Sequence, residues 1–103
     1  MTGYRLSFYS IRSVKHDGLS VDDFLIREAK SVGIKGVSVA LLHKGYDHEG
    51  VIHSAGFFEL SDEALEITII ADEDSCEKLL SRLKNSNAKI FFTKSKVEFG
   101  FSA

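Results

Sequence analysis

The sequence contains no proline, so no turn is set and no helix is kinked by a prolyl ring. It has a single cysteine, Cys76, which excludes an intramolecular disulfide and fits a reducing compartment. No run approaches the ~18 apolar residues of a membrane-spanning helix. Met1 to Phe8 lack the charged and apolar regions of a signal peptide. The expectation is a cytoplasmic protein with no direct membrane insertion. A basic excess is missing too: 13 Lys and Arg face 15 Asp and Glu, for a formal net charge of −2. The one basic cluster, Lys89, Lys94 and Lys96, is too small to read as a nucleic-acid interface. Catalytic frameworks are also absent. There is no Ser-His-Asp order with a nucleophile elbow, no Walker loop and no Gly-x-Gly-x-x-Gly after a strand. Asp22-Asp23 and Asp72-Glu73-Asp74 pair carboxylates, but both fall at helix starts, where the helix dipole accounts for them. No enzyme is expected.

What is present fits one domain spanning 1–103, with 44% apolar residues to form a core and 27% charged residues to cover it. Residues 4–11 alternate, with Leu6 and Phe8 on one side and Arg5, Ser7 and Tyr9 on the other, which predicts a strand. Asp17-Gly18 marks a turn or loop. Ser20 with Asp23 three residues on reads as an N-cap in the manner of a capping box. Val21, Phe24, Leu25, Glu28 and Val32 then fall on one helical face, all apolar except Glu28, and Gly33 ends the helix. A second strand follows over 37–43, with Val37, Val39 and Leu41 on one side.

Residues 44–56 hold three glycines, alternating charges and two histidines, and read as a long loop of the kind that carries function. Leu65, Ile67, Ile69 and Ala71 share one face of a third strand. Asp72 caps a second helix, whose stripe is Cys76, Leu79, Leu80 and Leu83. Asn85-Ser86-Asn87 closes it, and residues 88–101 finish as a strand. Cys76 sits on the apolar stripe among acidic neighbours and reads as a small core residue rather than a reactive thiol.

The order β-α-β-loop-β-α-β predicts an α+β, ferredoxin-like βαββαβ sandwich: a four-stranded antiparallel sheet with two helices on one face. The other face would be bare, carrying Tyr4 or Tyr9, Ala40, Leu42, Ile70 and Phe92 or Phe101. An apolar patch of that kind implies self-association.

His43, His48 and His53, with Asp47 and Glu49 between them, are candidate ligands for a divalent metal, since imidazole and carboxylate suit zinc, copper or nickel. The four-residue gaps between them belong to no standard site. A solvated loop with a partly buried His53 is the plainer reading.

Gly33/Gly36 before Val37 and Val39, Gly45-Tyr46, Ile52-His53, Leu60-Ser61 and the run Leu65 to Asp72 together resemble the PII-like superfamily. Within it, the pattern is most similar to the uncharacterised family named domain of unknown function one-ninety. The resemblance covers nearly the whole chain. It implies a homotrimer or higher assembly, a small effector held between subunits, and a T-loop over 45–60 that reports the effector to a protein partner such as a membrane transporter. The loop would present Tyr46, His48, His53 and Phe57. The ligand would be a nucleotide or small anion, met by Lys44, Gly45, Tyr46, Lys89 and Arg5. In the PII pattern a Gly- and Lys-rich segment grips phosphates, whereas Lys84 to Lys89 here has no glycine, so a backbone phosphate cradle is not expected. No cofactor is assigned. The alternatives are a metal-binding or metal-tolerance module built on the histidines and a ligand-free protein-interaction scaffold.

Overall fold

The computed structural model describes residues 1–42, 44–46, 52–54 and 63–103. Their elements run β1 (Thr2–Ile11), β2 (Lys15–His16), β3 (Leu19–Ser20), α1 (Val21–Ser31), β4 (Val37–Leu41), β5 (Lys44–Tyr46), β6 (Ile52–Ser54), β7 (Ala64–Asp72), α2 (Glu73–Asn85) and β8 (Phe91–Glu98). Four strands form an antiparallel sheet in the order β4-β7-β1-β8. This is the ferredoxin-like arrangement that the alternating pattern predicts.

Strand alternation sends Leu6 and Phe8 of β1 and Leu65, Ile67 and Ile69 of β7 to one side, where all five are buried. The stripes of both helices close over them: Val21, Phe24, Leu25 and Ala29 from α1, and Cys76, Leu79 and Leu83 from α2. Burial pushes the Cys76 thiol up from its ordinary value, which suits a core residue. Glycine is forced at Gly3, because a Cβ there would collide with the Ala71 carbonyl oxygen on the neighbouring strand.

The helix ends follow their local chemistry. Asp72 accepts the Ser75 amide at 3.0 Å and the Ser75 hydroxyl at 2.7 Å, and these hydrogen bonds hold its carboxyl below the usual range. Ser20 occupies the N-cap of α1, but its hydroxyl donates to the Asp23 carboxylate at 3.1 Å and caps no backbone amide. Gly33, at φ 84°, and Asn87, at φ 56°, take the left-handed position after α1 and α2. Each is followed by the two back-bonds of a Schellman ending: Ile34 N–H to Ala29 O with Gly33 N–H to Lys30 O, and Ala88 N–H to Leu83 O with Asn87 N–H to Lys84 O.

Four details depart from the pattern reading. The 12–19 segment contains a small hairpin, β2 with β3, turned at Asp17 and Gly18, both at positive φ. Residues 44–46 and 52–54 pair as a two-stranded ladder within what reads as loop. The last strand starts at Phe91 rather than 88, because the Schellman ending of α2 occupies Ser86 to Ala88, and it stops at Glu98, leaving Phe101 fully exposed. Finally, the bare face carries Tyr9, Ala40 and Ile70 but neither Tyr4 nor Phe92. Phe92 opposes Phe8 and therefore lies on the helix side, and it is Phe91, opposite Tyr9, that belongs to the open face.

Candidate functional site

The ends of β1 and β4 and the beginnings of β7 and β8 meet at one end of the sheet. The 43–62 segment leaves and rejoins the sheet here. Its described part is the β5–β6 ladder, with Lys44 opposite Ser54, Gly45 opposite His53 and Tyr46 opposite Ile52. Lys44, Gly45, Tyr46 and His53 therefore share one short ribbon. His43, His48 and Phe57 lie outside the described residues.

The root of the segment is held on both sides. Leu42 N–H donates to Ala64 O at 2.9 Å, closing the sheet where the segment begins and ends. Arg12, in the turn after β1, donates its amide to Glu63 O at 2.9 Å and its guanidinium to Glu63 Oε2 at 3.0 Å. The same guanidinium lies 3.9 Å from Asp22 at the start of α1. Arg12 is part-exposed, so this pairing contributes more to position than to stability. One step along β7, Glu66 accepts the Tyr9 hydroxyl at 2.9 Å, and the Tyr9 ring packs 6.1 Å from that of Phe91. Sequence reasoning missed Arg12 and Glu63. No spacing rule links residues 51 positions apart in the chain.

Lys89 is exposed just ahead of β8, at this same end but on the opposite edge from the β5–β6 ribbon. Four strands separate the two edges by about 14 Å. Within one copy, Lys89 and the edge strand that leads into the ribbon lie on opposite edges of the sheet. Arg5 stands apart from both: it opposes Ser95 while Tyr9 opposes Phe91, four residues further along the strand. The amides that would have to cradle a phosphate here are already committed. Those of Ser86, Asn87 and Ala88 bond Arg82 O, Lys84 O and Leu83 O at the end of α2. An anion at this end would meet side chains rather than a backbone nest.

The β2–β3 hairpin packs on α1 beside this end. His16 lies 5.1 Å from the Phe24 ring, and its Nε2 is buried without a hydrogen-bond partner among the described residues. Arg27 sits 5.3 Å over the same ring and pairs with Asp17 at 2.8 Å. Burial lowers the His16 pKa from its ordinary 6.5. The fold thus favours neutral imidazole, so the His16 contribution to stability is complete above about pH 6.5 and is lost as the pH falls below it. Thermal melts between pH 7.5 and 5 should show a steeper loss for the native protein than for His16→Phe. Parallel curves would show that His16 protonates freely in the folded state.

The family model described as DUF190, Uncharacterized ACR, matches residues 3–99. No functionally curated protein matches the chain. Among solved structures, a PII-like signaling protein from Thermus thermophilus is 12% identical, with a TM-score of 0.68 over 93% of this chain and 87% of that one. CPII, a nitrogen regulatory PII-like protein from Thiomonas intermedia K12 solved with ADP, AMP and bicarbonate, is 14% identical, with a TM-score of 0.69 over 97% of each chain. The apo form of CPII superposes with a TM-score of 0.56 at 16% identity, covering 94% of this chain and 92% of that one. At these identities the likeness is one of fold.

Proposed function

The chain belongs to the DUF190 family, and from that membership and its PII-like fold we propose that it is a cytoplasmic regulatory protein, not an enzyme. It works as a homotrimer of single-domain subunits, takes up a small effector between subunits and reports it through the 45–60 segment. The effector is a nucleotide or a small anion such as bicarbonate, the ligand classes named for CPII. The reader of the signal is a protein partner such as a membrane transporter.

The observation that carries this reading is the placement of the β5–β6 ribbon and Lys89 at one end of the sheet but on opposite edges. A ring of copies sets one edge beside the other edge of its neighbour. Lys44, Gly45 and Tyr46 of one copy then face Lys89 of the next, and the cleft between them is cationic. Arg12 and Glu63 tie the root of the segment to β1 and α1, so an effector at the ribbon acts on a segment whose base is fixed. The partner surface is formed by Tyr46, His48, His53 and Phe57. Ordering such a segment on effector binding is an established type of switch.

Thermal melts with ADP, AMP and bicarbonate added singly test this reading. A ligand at about 100 times its Kd adds about 2.7 kcal/mol and raises the melting temperature visibly. Lys89→Ala should weaken the ligand that does so by about tenfold, the loss of one charge-assisted hydrogen bond. If none of the three moves the melting temperature, the effector reading is abandoned and a ligand-independent interaction domain takes its place.

A further inference from the structure

Lys78, Ser81, Arg82 and Asn85 fall at i, i+3, i+4 and i+7 along α2, a polar stripe beside the apolar one. They form one wall of a groove of about 590 Å³ between the helices, and Glu28 and Val32 stand on the α1 side. That volume falls within the roughly 300–1,000 Å³ of small-molecule sites. Every lining residue belongs to α1, α2 or their C-terminal ends, so the groove lies on the helix side of the sheet.

Glu28 is the buried member, its side chain 5% exposed against 51% for that of Arg82. Arg82 Nε donates to Glu28 Oε2 at 3.2 Å, and Arg27 Nε lies 3.7 Å from the same atom. Both arginines thus reach one oxygen. Oε1 is left to accept from a donor in the groove, and a carboxylate buried this deeply calls for one. The use of Nε on Glu28 also leaves Nη1 and Nη2 of Arg82, a pair of donors that can grip a second carboxylate. The other charges of the groove are already matched: Glu77 by Lys94 at 2.7 Å, and Lys78 by Asp74 at 3.0 Å. The side chains of Ser81 and Asn85 make no hydrogen bond among the described residues.

A simple anion on Arg82 would lie against the Glu28 carboxylate, and a simple cation on Glu28 would lie against the Arg82 guanidinium. A molecule that carries both charges close together meets both groups. Glu28 and Arg82 are in contact, so the two binding points are neighbours, as an ammonium and a carboxylate on one carbon require. We propose that the groove between α1 and α2 binds a free α-amino acid, its ammonium on Glu28 Oε1 and its carboxylate on Nη1 and Nη2 of Arg82. Ser81 and Asn85 flank the carboxylate, and the ligand's side chain lies along the half-buried Val32. The site also gives a reason for an acid on an otherwise apolar stripe, which stability alone does not call for. It is separate from the effector cleft proposed above and does not depend on it.

Nuclear magnetic resonance on the isotope-labelled full chain tests the site, with the twenty standard amino acids added singly to about 10 mM. At least one should give saturating shifts at Glu28, Val32, Ser81, Asn85 and the Arg82 Nε–H, with a Kd of about 1 mM or below. Acetate lacks the ammonium, ethylammonium lacks the carboxylate and trimethylglycine lacks the N–H donors, and each should bind at least tenfold more weakly. Arg82→Met should weaken the amino acid at least tenfold, the loss of a charge-assisted pair. Glu28→Leu should do the same and guards against instability of the first variant, with circular dichroism as the check on both. No saturating shift with any amino acid overturns the site. So do shifts confined to 44–46 and Lys89, which would put the amino acid in the effector cleft. Acetate that binds as tightly as the amino acid would make this an anion site of Arg82 alone, and full affinity in Glu28→Leu would remove the ammonium from Glu28; either result overturns the proposal.

Discussion

Phe8→Ala is expected to destabilise the protein by about 3–5 kcal/mol, the usual cost of deleting a buried aromatic ring. Phe8 is fully buried in the central strand of the sheet, opposite Ile67 on one side and Phe92 on the other, with the Phe92 ring at 5.8 Å. The surrounding side chains come from two helices and two strands, so they cannot collapse together into the space. A domain of this size has only about 5–15 kcal/mol of stability in all. The variant should therefore lose a fifth or more of it, and the urea midpoint should fall accordingly at fixed protomer concentration. Phe92→Ala is the contrasting case. That ring packs on Phe8 but is 40% exposed on an edge strand, and its loss should cost about 1 kcal/mol by the area it buries. Equal effects from the two substitutions would mean that β1 is not the centre of the core.

The core was legible because its signals are periodic. Leu65, Ile67, Ile69 and Ala71 alternate in the letters and are all buried in the fold. The stripes of α1 and α2 were legible in the same way, and so were Gly33 and Asp72 at the helix ends. Periodicity fails where an element is too short to show its repeat twice. The two-residue strands β2 and β3 and the three-residue ribbon strands have no pattern to detect. It fails again where two like residues are adjacent. Phe91 and Phe92 offer no alternation, and only their pairing with Tyr9 and Phe8 decides which faces the helices. The ribbon residues and Lys89 were nominated from the sequence. What holds them could not be: Arg12 and Glu63 are 51 residues apart, and nothing in either neighbourhood announces the other. The open face was misread as chiefly apolar for a related reason. Ser38, Thr68, Ser7 and Thr93 set a row of hydroxyls across it, one from each of four strands, and no single strand displays the row.

Glu28 is the one acid on the apolar stripe of α1, and its partner was as far from view as Glu63 was from Arg12. The side chain is 5% exposed. Arg82, 54 residues away on α2, donates Nε to its Oε2 at 3.2 Å, and Arg27 Nε lies 3.7 Å from the same oxygen. The pair lies in a groove between the helices, lined also by Val32, Lys78, Ser81 and Asn85, through which water reaches the half-exposed guanidinium. A carboxylate buried this deeply depends on its cations, whereas the cations can return to solvent. The two ends of the pair should therefore respond unequally. Arg82→Met should cost about 2 kcal/mol, less than the about 3–5 kcal/mol of a fully buried broken pair because Arg27 remains and Arg82 is half in water. Glu28→Leu should cost little, since it leaves two solvent-reaching arginines and completes an apolar stripe. The double variant should recover the loss and can exceed native stability by about 1 kcal/mol, as when buried ion pairs elsewhere are replaced by well-packed apolar groups. Urea denaturation of the four proteins closes the cycle, with a coupling of about 2–3 kcal/mol expected for groups in contact. A loss below about 0.5 kcal/mol in Arg82→Met would place the pair among ordinary surface ion pairs. A double variant no better than Arg82→Met would mean that Glu28 is retained for its shape in the groove and not for its charge.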